Sequence, residues 1–163
     1  MELKKSLPWF AGAAAIVLAD RLTKLWVLEA FAPGERLLVT GFFNLVLVFN
    51  KGAAFSLFAS APGWQTPLLA TFALVAAAIV SVLIVRNAQR RLMCVGLALI
   101  LGGALGNLID RLRFGSVVDF LDFHALGWHW PAFNVADSGI SVGAVLLILE
   151  GFVHHEKRVG APS

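Results

Sequence analysis

Four of the ten acidic residues in this chain fall in one stretch, Gly102 to Asp137: GGALGNLIDRLRFGSVVDFLDFHALGWHWPAFNVAD. They are Asp110, Asp119, Asp122 and Asp137. The stretch starts inside one apolar run and stops where the next begins. Carboxylates gathered at the mouth of a membrane protein are expensive there, which marks a functional site. Two carboxylates that share a site cannot both ionise easily, so one keeps its proton. An acid and a base then come from one residue type. Asp119 and Asp137 are read as such a pair, able to activate water for hydrolysis.

Each of these residues also has a plainer role. Asp137 stands before a helix, where Asp accepts hydrogen bonds from free backbone N–H groups as an N-cap. Taken alone, that role is the better reading. Asp119 could be a polar loop residue, Asp110 a partner for Arg111, and Asn107 a bridge between helices. The coincidence of level argues otherwise. Asn50, Asn107, Asp110, Arg111, Asp119, Asn134 and Asp137 all fall at one membrane depth, where unpaired polar groups are penalised. One polar site accounts for all of them. No H-E-x-x-H occurs, and Ser138 has no evident base. Cys94 is the only cysteine, and His154 and His155 sit in a charged tail, so no metal site or cofactor is expected.

The elements that must hold these residues belong to a membrane protein. Of 163 residues 59% are apolar and 14% charged, with a mean hydropathy of +0.82. The net charge of +3 is too spread out to argue for nucleic acid. An all-α polytopic bundle is predicted, one membrane domain over residues 1–163. Its four transmembrane helices lie at about 7–28, 66–85, 92–112 and 137–153. The run after Lys4 and Lys5 resembles a signal peptide, but the pattern continues through Asp20, Arg21 and Lys24 to Leu28. A helix over 7–28 would be about 33 Å long at ~1.5 Å per residue, enough to span. Asp20 and Lys24 share a face and can pair, making the outer end tolerable. Leu68–Val85 and Leu92–Ile109 carry no charge. Gly102 with Gly106, and Gly139 with Gly143, form small faces that let helices approach closely.

Two connections remain. Residues 29–65, bounded by Pro33-Gly34 and Pro62-Gly63, are broken by Gly and Asn and rich in Val, Phe and Leu. They predict a small extracytoplasmic β-sheet. Residues 113–136 hold Phe114, Phe120, Phe123, Trp128, Trp130 and Phe133. They predict an outer-face loop or short helix at the membrane–water interface, its stretch from Phe120 to Phe133 a mobile flap over the site. Four helices put both termini on one side. The short turn with Arg86, Arg90 and Arg91 places that side in the cytoplasm and the acidic site at the outer face.

Five motifs then carry a family resemblance: D-R-L-T-K at Asp20–Lys24, F-N-K-G-A-A-F at Phe49–Phe55, G-G-A-L-G-N-L-I-D-R at Gly102–Arg111, V-V-D-F at Val117–Phe120 and F-N-V-A-D-S at Phe133–Ser138. In this order, the chain resembles the lipoprotein signal peptidases, or type II signal peptidases, along essentially its whole length. The resemblance implies an aspartic endopeptidase of the bacterial cytoplasmic (inner) membrane. Such enzymes cut prolipoproteins just before a cysteine carrying a diacylglyceryl group. By motif the catalytic dyad is Asp119 and Asp137, and Asp122 does not match it. Asn50, Asn107, Arg111 and Asn134 match the polar residues lining the family's site, with Gly52 and Asp110 counted beside them. Asp20 matches a further motif aspartate, structural or site-supporting. The resemblance also implies diacylated substrates, contact with membrane lipid and inhibition by the cyclic peptide globomycin; no cofactor and a monomer are expected. The rival readings are a transporter and a non-catalytic assembly subunit. The chain lacks the paired repeats of the first, and mutating Asp119 and Asp137 in an intact fold separates all three.

Overall fold

The structure is a computed structural model that describes residues 2–52 and 63–159, with side chains from 4 to 52 and from 63 to 153. The elements run α1 (Glu2–Ala30), β1 (Arg36–Thr40), β2 (Phe43–Asn50), α2 (Gln65–Arg86), α3 (Arg91–Phe114), β3 (Val117–Ala125), β4 (Trp128–His129) and α4 (Val135–Val159). Residues 53–55 of the second motif, and Pro62, lie outside the described residues.

Helix α3 is the axis, with α1, α2 and α4 packed around it. Its apolar window is 61% buried, against 17% for α2 and 17% for α4, so the outer helices turn most of their apolar surface away from the protein. Leu68, Phe72, Leu74 and Ile79 on α2 are exposed in this way. The reversed polarity is that of a bundle dissolved in lipid. α2, α3 and α4 are long and apolar enough to cross a membrane. Helix α1, at 29 residues, carries Asp20, Arg21 and Lys24.

The small-residue faces set the contacts. A Cβ on Gly102 would stand 2.6 Å from the Ala13 carbonyl of α1, and one on Gly143 2.6 Å from the Gly96 carbonyl of α3. Neither helix pair could approach so closely with a larger residue. One apolar core joins Ala13, Ala77, Ile84 and Leu97 within the bundle; a second joins Val27 at the end of α1 to Leu47, Val118 and Phe120 in the sheet. At the opposite end, Arg90 grips Glu150 of α4 through two hydrogen bonds of 3.0 and 2.6 Å.

The four strands form one antiparallel sheet in the order β1-β2-β3-β4. This corrects the expectation for residues 113–136. The segment is neither a loop nor a short helix, because Val117–Ala125 pairs with β2 and Trp128–His129 turns back on it. Its Val and Phe residues suit a pleated surface, and its backbone groups find partners there. Leu126 (φ 52) and Gly127 (φ 82) make the two-residue hairpin turn, both left-handed as such a tight turn requires. The helix ends also move: α4 begins at Val135 rather than 137, and α1 and α3 extend beyond 7–28 and 92–112.

A bulge shapes the face that matters. Leu45 pairs with Leu121 and Val48 with Asp119, so two residues of β2, Val46 and Leu47, oppose one of β3. Side chains alternate faces along a strand, so this extra residue flips the parity. Asn50 therefore lies on the same face as Asp119.

Candidate active site

Asp119 reaches its place through a sharp exit from α3. Gly115 ends that helix in the left-handed conformation, at φ 69, and its N–H bonds to the Arg111 carbonyl 3.0 Å away. Three residues later Val118 donates its N–H to Asp110 Oδ2 at 3.1 Å, which pins the start of β3 to the last turns of α3. The Asp119 carboxyl then lies under the sheet, only 2% exposed.

Asp137 arrives from α4, and it is not the cap of that helix. Asn134 is: its Oδ1 accepts the Asp137 backbone N–H at 2.9 Å. The Asp137 side chain is thereby left for another partner. Asn107 of α3 supplies it, donating from Nδ2 to Asp137 Oδ1 at 2.7 Å. The plainer reading of Asp137 as an N-cap therefore fails on geometry.

Three asparagine amides converge on the two carboxyls. Asn50 Nδ2 donates to Asp119 Oδ2 at 3.1 Å, Asn134 Nδ2 to Asp119 Oδ1 at 2.7 Å, and Asn107 Nδ2 to Asp137 Oδ1. The orientation of each amide is dictated by its other end. Asn50 Oδ1 accepts the Gly52 N–H at 2.9 Å, and Asn134 Oδ1 accepts the Asp137 N–H. Asn107 Oδ1 accepts from Lys24 Nζ at 3.1 Å and from Asn134 Nδ2 at 3.3 Å. Since a backbone N–H or an ammonium can only donate, each oxygen must face it and each NH2 must face the carboxyls.

Arg111 braces the assembly without bonding to either carboxyl. Its Nη2 donates to the Gly52 carbonyl at 3.1 Å and its Nη1 to the Asn107 carbonyl at 3.4 Å, tying the end of β2 to α3. Beneath lies a buried ionic layer. Lys24 Nζ stands 2.8 Å from Asp20 Oδ2 and 2.7 Å from Asp110 Oδ2, all three residues being fully buried. Arg21 pairs with Asp110 from the other side. Asp20 Oδ1 accepts the Ala136 N–H at 3.0 Å, steadying the first turn of α4. Gly106 makes room for it, since a Cβ there would lie 2.7 Å from Asp20 Oδ2.

Asp20, Asn50, Gly52, Asn107, Asp110, Arg111, Asp119, Asn134 and Asp137 thus form one connected network drawn from α1, α3, α4 and two strands. The expected Asp20–Lys24 pair is present, but sequence reasoning missed that Lys24 also reaches Asn107. The signal was available in principle, because Asp20 and Lys24 share one face of a helix and Asn107 and Asp110 share one face of another. Asp122 is elsewhere. It turns to the opposite face of the sheet, where Asn44 and His129 bond to it at 2.9 and 2.8 Å.

The electrostatics follow from these surroundings. Burial, and then the neighbouring Asp137 carboxylate, push Asp119 up to about 7, against the pull of the Asn50 and Asn134 hydrogen bonds and the Lys24 charge. A carboxylate of that basicity can exchange protons with water near neutral pH.

Comparison with known proteins gives a consistent answer. The family model described as signal peptidase (SPase) II matches residues 12–153. The chain is similar to the lipoprotein signal peptidase of Paraburkholderia phytofirmans, with 54% identity over 88% of this chain and 83% of that one. It is also similar to that of Janthinobacterium sp. (strain Marseille), with 54% identity over 94% and 91%. Two solved structures, each of a bacterial membrane enzyme, share the fold. One has a TM-score of 0.81 at 26% identity over 96% of this chain and 93% of that one, the other 0.78 at 28% over 87% and 90%.

Proposed function

The chain belongs to the signal peptidase II family, and on that premise we propose that it is an aspartic endopeptidase whose catalytic pair is Asp119 and Asp137. As a signal peptidase of this family it is a membrane protease that processes prolipoproteins. The observation that carries the catalytic assignment is the convergence of three orientation-locked amides on these two carboxyls and on no others of the site.

The hydrogen bonds also divide the labour. Once Asp137 carries the pair's proton it no longer repels a charge on Asp119, and the amide N–H groups on both Asp119 oxygens then favour the ionised form there. Asp137 has an amide donor on Oδ1 only, so Oδ2 is where the shared proton sits. Asp119 takes a proton from a water held between the carboxyls. Asp137 Oδ2–H donates to the scissile carbonyl oxygen as negative charge develops there. The C–N bond of the tetrahedral intermediate then breaks: the proton gained by Asp119 passes to the leaving amine, and one hydroxyl of the intermediate returns its proton to Asp137 as the acid product forms. No covalent acyl-enzyme forms.

The bond cut is the one before a diacylglyceryl-modified cysteine, in the bacterial inner membrane. A site at the outer mouth of the bundle lets acyl chains stay in lipid while the peptide bond meets water. The face of β3 that carries Asp119 also carries Phe123, and there an apolar groove of about 400 Å³ is lined by Phe42, Phe123, Trp128, Trp130 and Phe133. Aromatic surface of this kind suits the membrane interface. Helix α1 serves as a fourth span, because Asp20 and Lys24 are buried while Leu7, Leu18, Leu22 and Leu25 are exposed to lipid. Both termini and the Arg86–Arg91 turn lie in the cytoplasm. The chain works as a monomer, and globomycin blocks it.

Purified protein should release the signal peptide from a diacylated prolipoprotein and process the unmodified precursor far more slowly. Equal cleavage of the two would remove the lipid requirement, and no cleavage of either would remove the activity.

A further inference from the structure

We propose that Lys24 is a positioning residue for the hydrolysis: its ammonium holds the Asn107 amide, and so the hydrogen bond to Asp137, in the one orientation that leaves Asp137 Oδ2 open for the proton. The inference rests on the reading of Asp119 and Asp137 as the catalytic pair.

A lysine ammonium has three N–H donors and no acceptor. Here three acceptors surround it: Asp20 Oδ2 at 2.8 Å, Asp110 Oδ2 at 2.7 Å and Asn107 Oδ1 at 3.1 Å. The first two are what a buried ion pair needs. The third is not, because the charges already balance: Asp20 and Asp110 against Arg21 and Lys24. The bond to Asn107 instead links the ionic layer to the catalytic pair. Were Lys24 absent, Asn107 could rotate its amide and present an oxygen to Asp137 Oδ1. Asp137 would then have to place its proton on Oδ1 to satisfy that oxygen, away from the substrate. The Asn134 Nδ2 donor, 3.3 Å from Asn107 Oδ1, is shared with Asp119 Oδ1 and the Val118 carbonyl, so it holds the amide only weakly by itself.

The charge acts in the same direction. The ionisable groups facing this region are Asp20 and Arg21 of α1, Asp110 and Arg111 of α3, Asp119 of β3 and Asp137 of α4. Among the cations, Lys24 alone is both fully buried and one amide away from the pair. It favours a dyad that carries one negative charge over a dyad that carries none.

On its own Lys24→Met strands the Asp20 carboxylate, so the decisive protein is the double variant Asp20→Asn/Lys24→Met. It keeps Arg21 on Asp110, keeps the Asp20 Oδ1 acceptor for Ala136, and leaves the buried layer electrically balanced. Cleavage of a diacylated prolipopeptide is followed against pH, with thermal unfolding in detergent as the check on folding. We expect kcat to fall roughly 10- to 100-fold with little change in KM. The acidic limb of the kcat profile should move up by at most about one pH unit, because Lys24, one amide from the pair, acts on it more strongly than the Asp20 carboxylate removed with it. Asp20→Asn/Lys24→Gln, whose amide can still donate to Asn107, should recover part of kcat and keep the displaced limb. A folded Met variant with wild-type kcat and an unmoved limb overturns the proposal and leaves Lys24 as a counter-ion for Asp20. Asp137→Asn in the same assay separates the premise: if that variant cleaves normally, the catalytic reading falls and this inference with it.

Discussion

Asp119 and Asp122 sit three positions apart on one strand, and each accepts an N–H from an asparagine of β2, Asn50 and Asn44 respectively. Their surroundings part company because an odd separation puts them on opposite faces of the sheet. Asp122 meets His129 at 2.8 Å and Arg36 at 3.6 Å. Burial pushes its carboxyl up, but the hydrogen bonds from Asn44 and His129 and the charges of His129 and Arg36 outweigh this and hold it below the usual value. Asp119 meets neutral amides and a second carboxyl, and it is raised to about 7. One residue type with the same cross-strand donor thus becomes a fixed anion on one face and a proton acceptor on the other. What distinguishes them is first the depth of burial and then the charge opposite, not the carboxyl itself.

The largest effects should come from breaking the second carboxyl's part in this contrast. Asp119→Asn and Asp137→Asn should each abolish measurable cleavage, since acid and base groups contribute roughly 10²- to 10⁴-fold each and a dyad acts as a unit. Asp122→Asn should keep most of the rate. Because the Asp137 side chain does not cap α4, its loss of activity cannot be blamed on the helix. An Asp137→Asn enzyme at the wild-type rate would refute the assignment.

A smaller effect tests the amides. Asn50→Ala removes one of the two donors on Asp119, and the rate should fall about 10- to 100-fold, the equivalent of a hydrogen bond to a charged group at ~1.5–3 kcal/mol. Asn44→Ala, its counterpart beside Asp122, should lower stability and leave kcat within about twofold, as befits a packing change away from the reacting atoms.

The pH dependence of stability should carry opposite signs for the two carboxyls. Asp119 is raised in the folded state, so ionising it works against folding as pH climbs through the interval from 3.8 to about 7. Asp119→Asn should therefore raise the unfolding temperature at pH 8 and change it least below pH 4. Asp122 is lowered, so its ionised form stabilises the fold above the ordinary carboxylate range, and that contribution fades as pH falls through its folded value. Asp122→Asn should be destabilising at pH 7 and nearly neutral in strong acid. Unfolding curves in detergent at both ends of the range would sink the contrast if the signs agreed.

The smallest effect expected is that of His129→Ala. It removes a half-exposed partner from Asp122 and should cost roughly 0.5–1.5 kcal/mol of stability with no change in kcat. A fall in kcat would show that the hairpin serves catalysis.

Much of the architecture was legible before any coordinates. Uncharged apolar runs such as Leu68–Val85 and Leu92–Ile109 leave the backbone only a helix in which to satisfy itself in lipid, and α2 and α3 follow them closely. The Gly102–Gly106 spacing announced the close approach to α1, and the carboxylates and asparagines at one depth announced a polar network. These signals are local: composition, period and spacing along one segment.

The structure alone decided the rest. Residues 117–125 are a strand because β2, some 70 positions earlier, supplies the partner; Asn50 and Asp119 are separated by 69 residues. The bulge at Val46–Leu47 chooses which face Asn50 shows. The sequence offered Asp137 as the cap of α4; Asn134, which caps about as well, takes that place, and Asn107 draws the Asp137 carboxyl away. Lys24 looked like half of a local pair until α3 brought Asn107 to it. In each case the residue's own propensity allowed two outcomes of similar free energy, and a contact from a distant segment selected one.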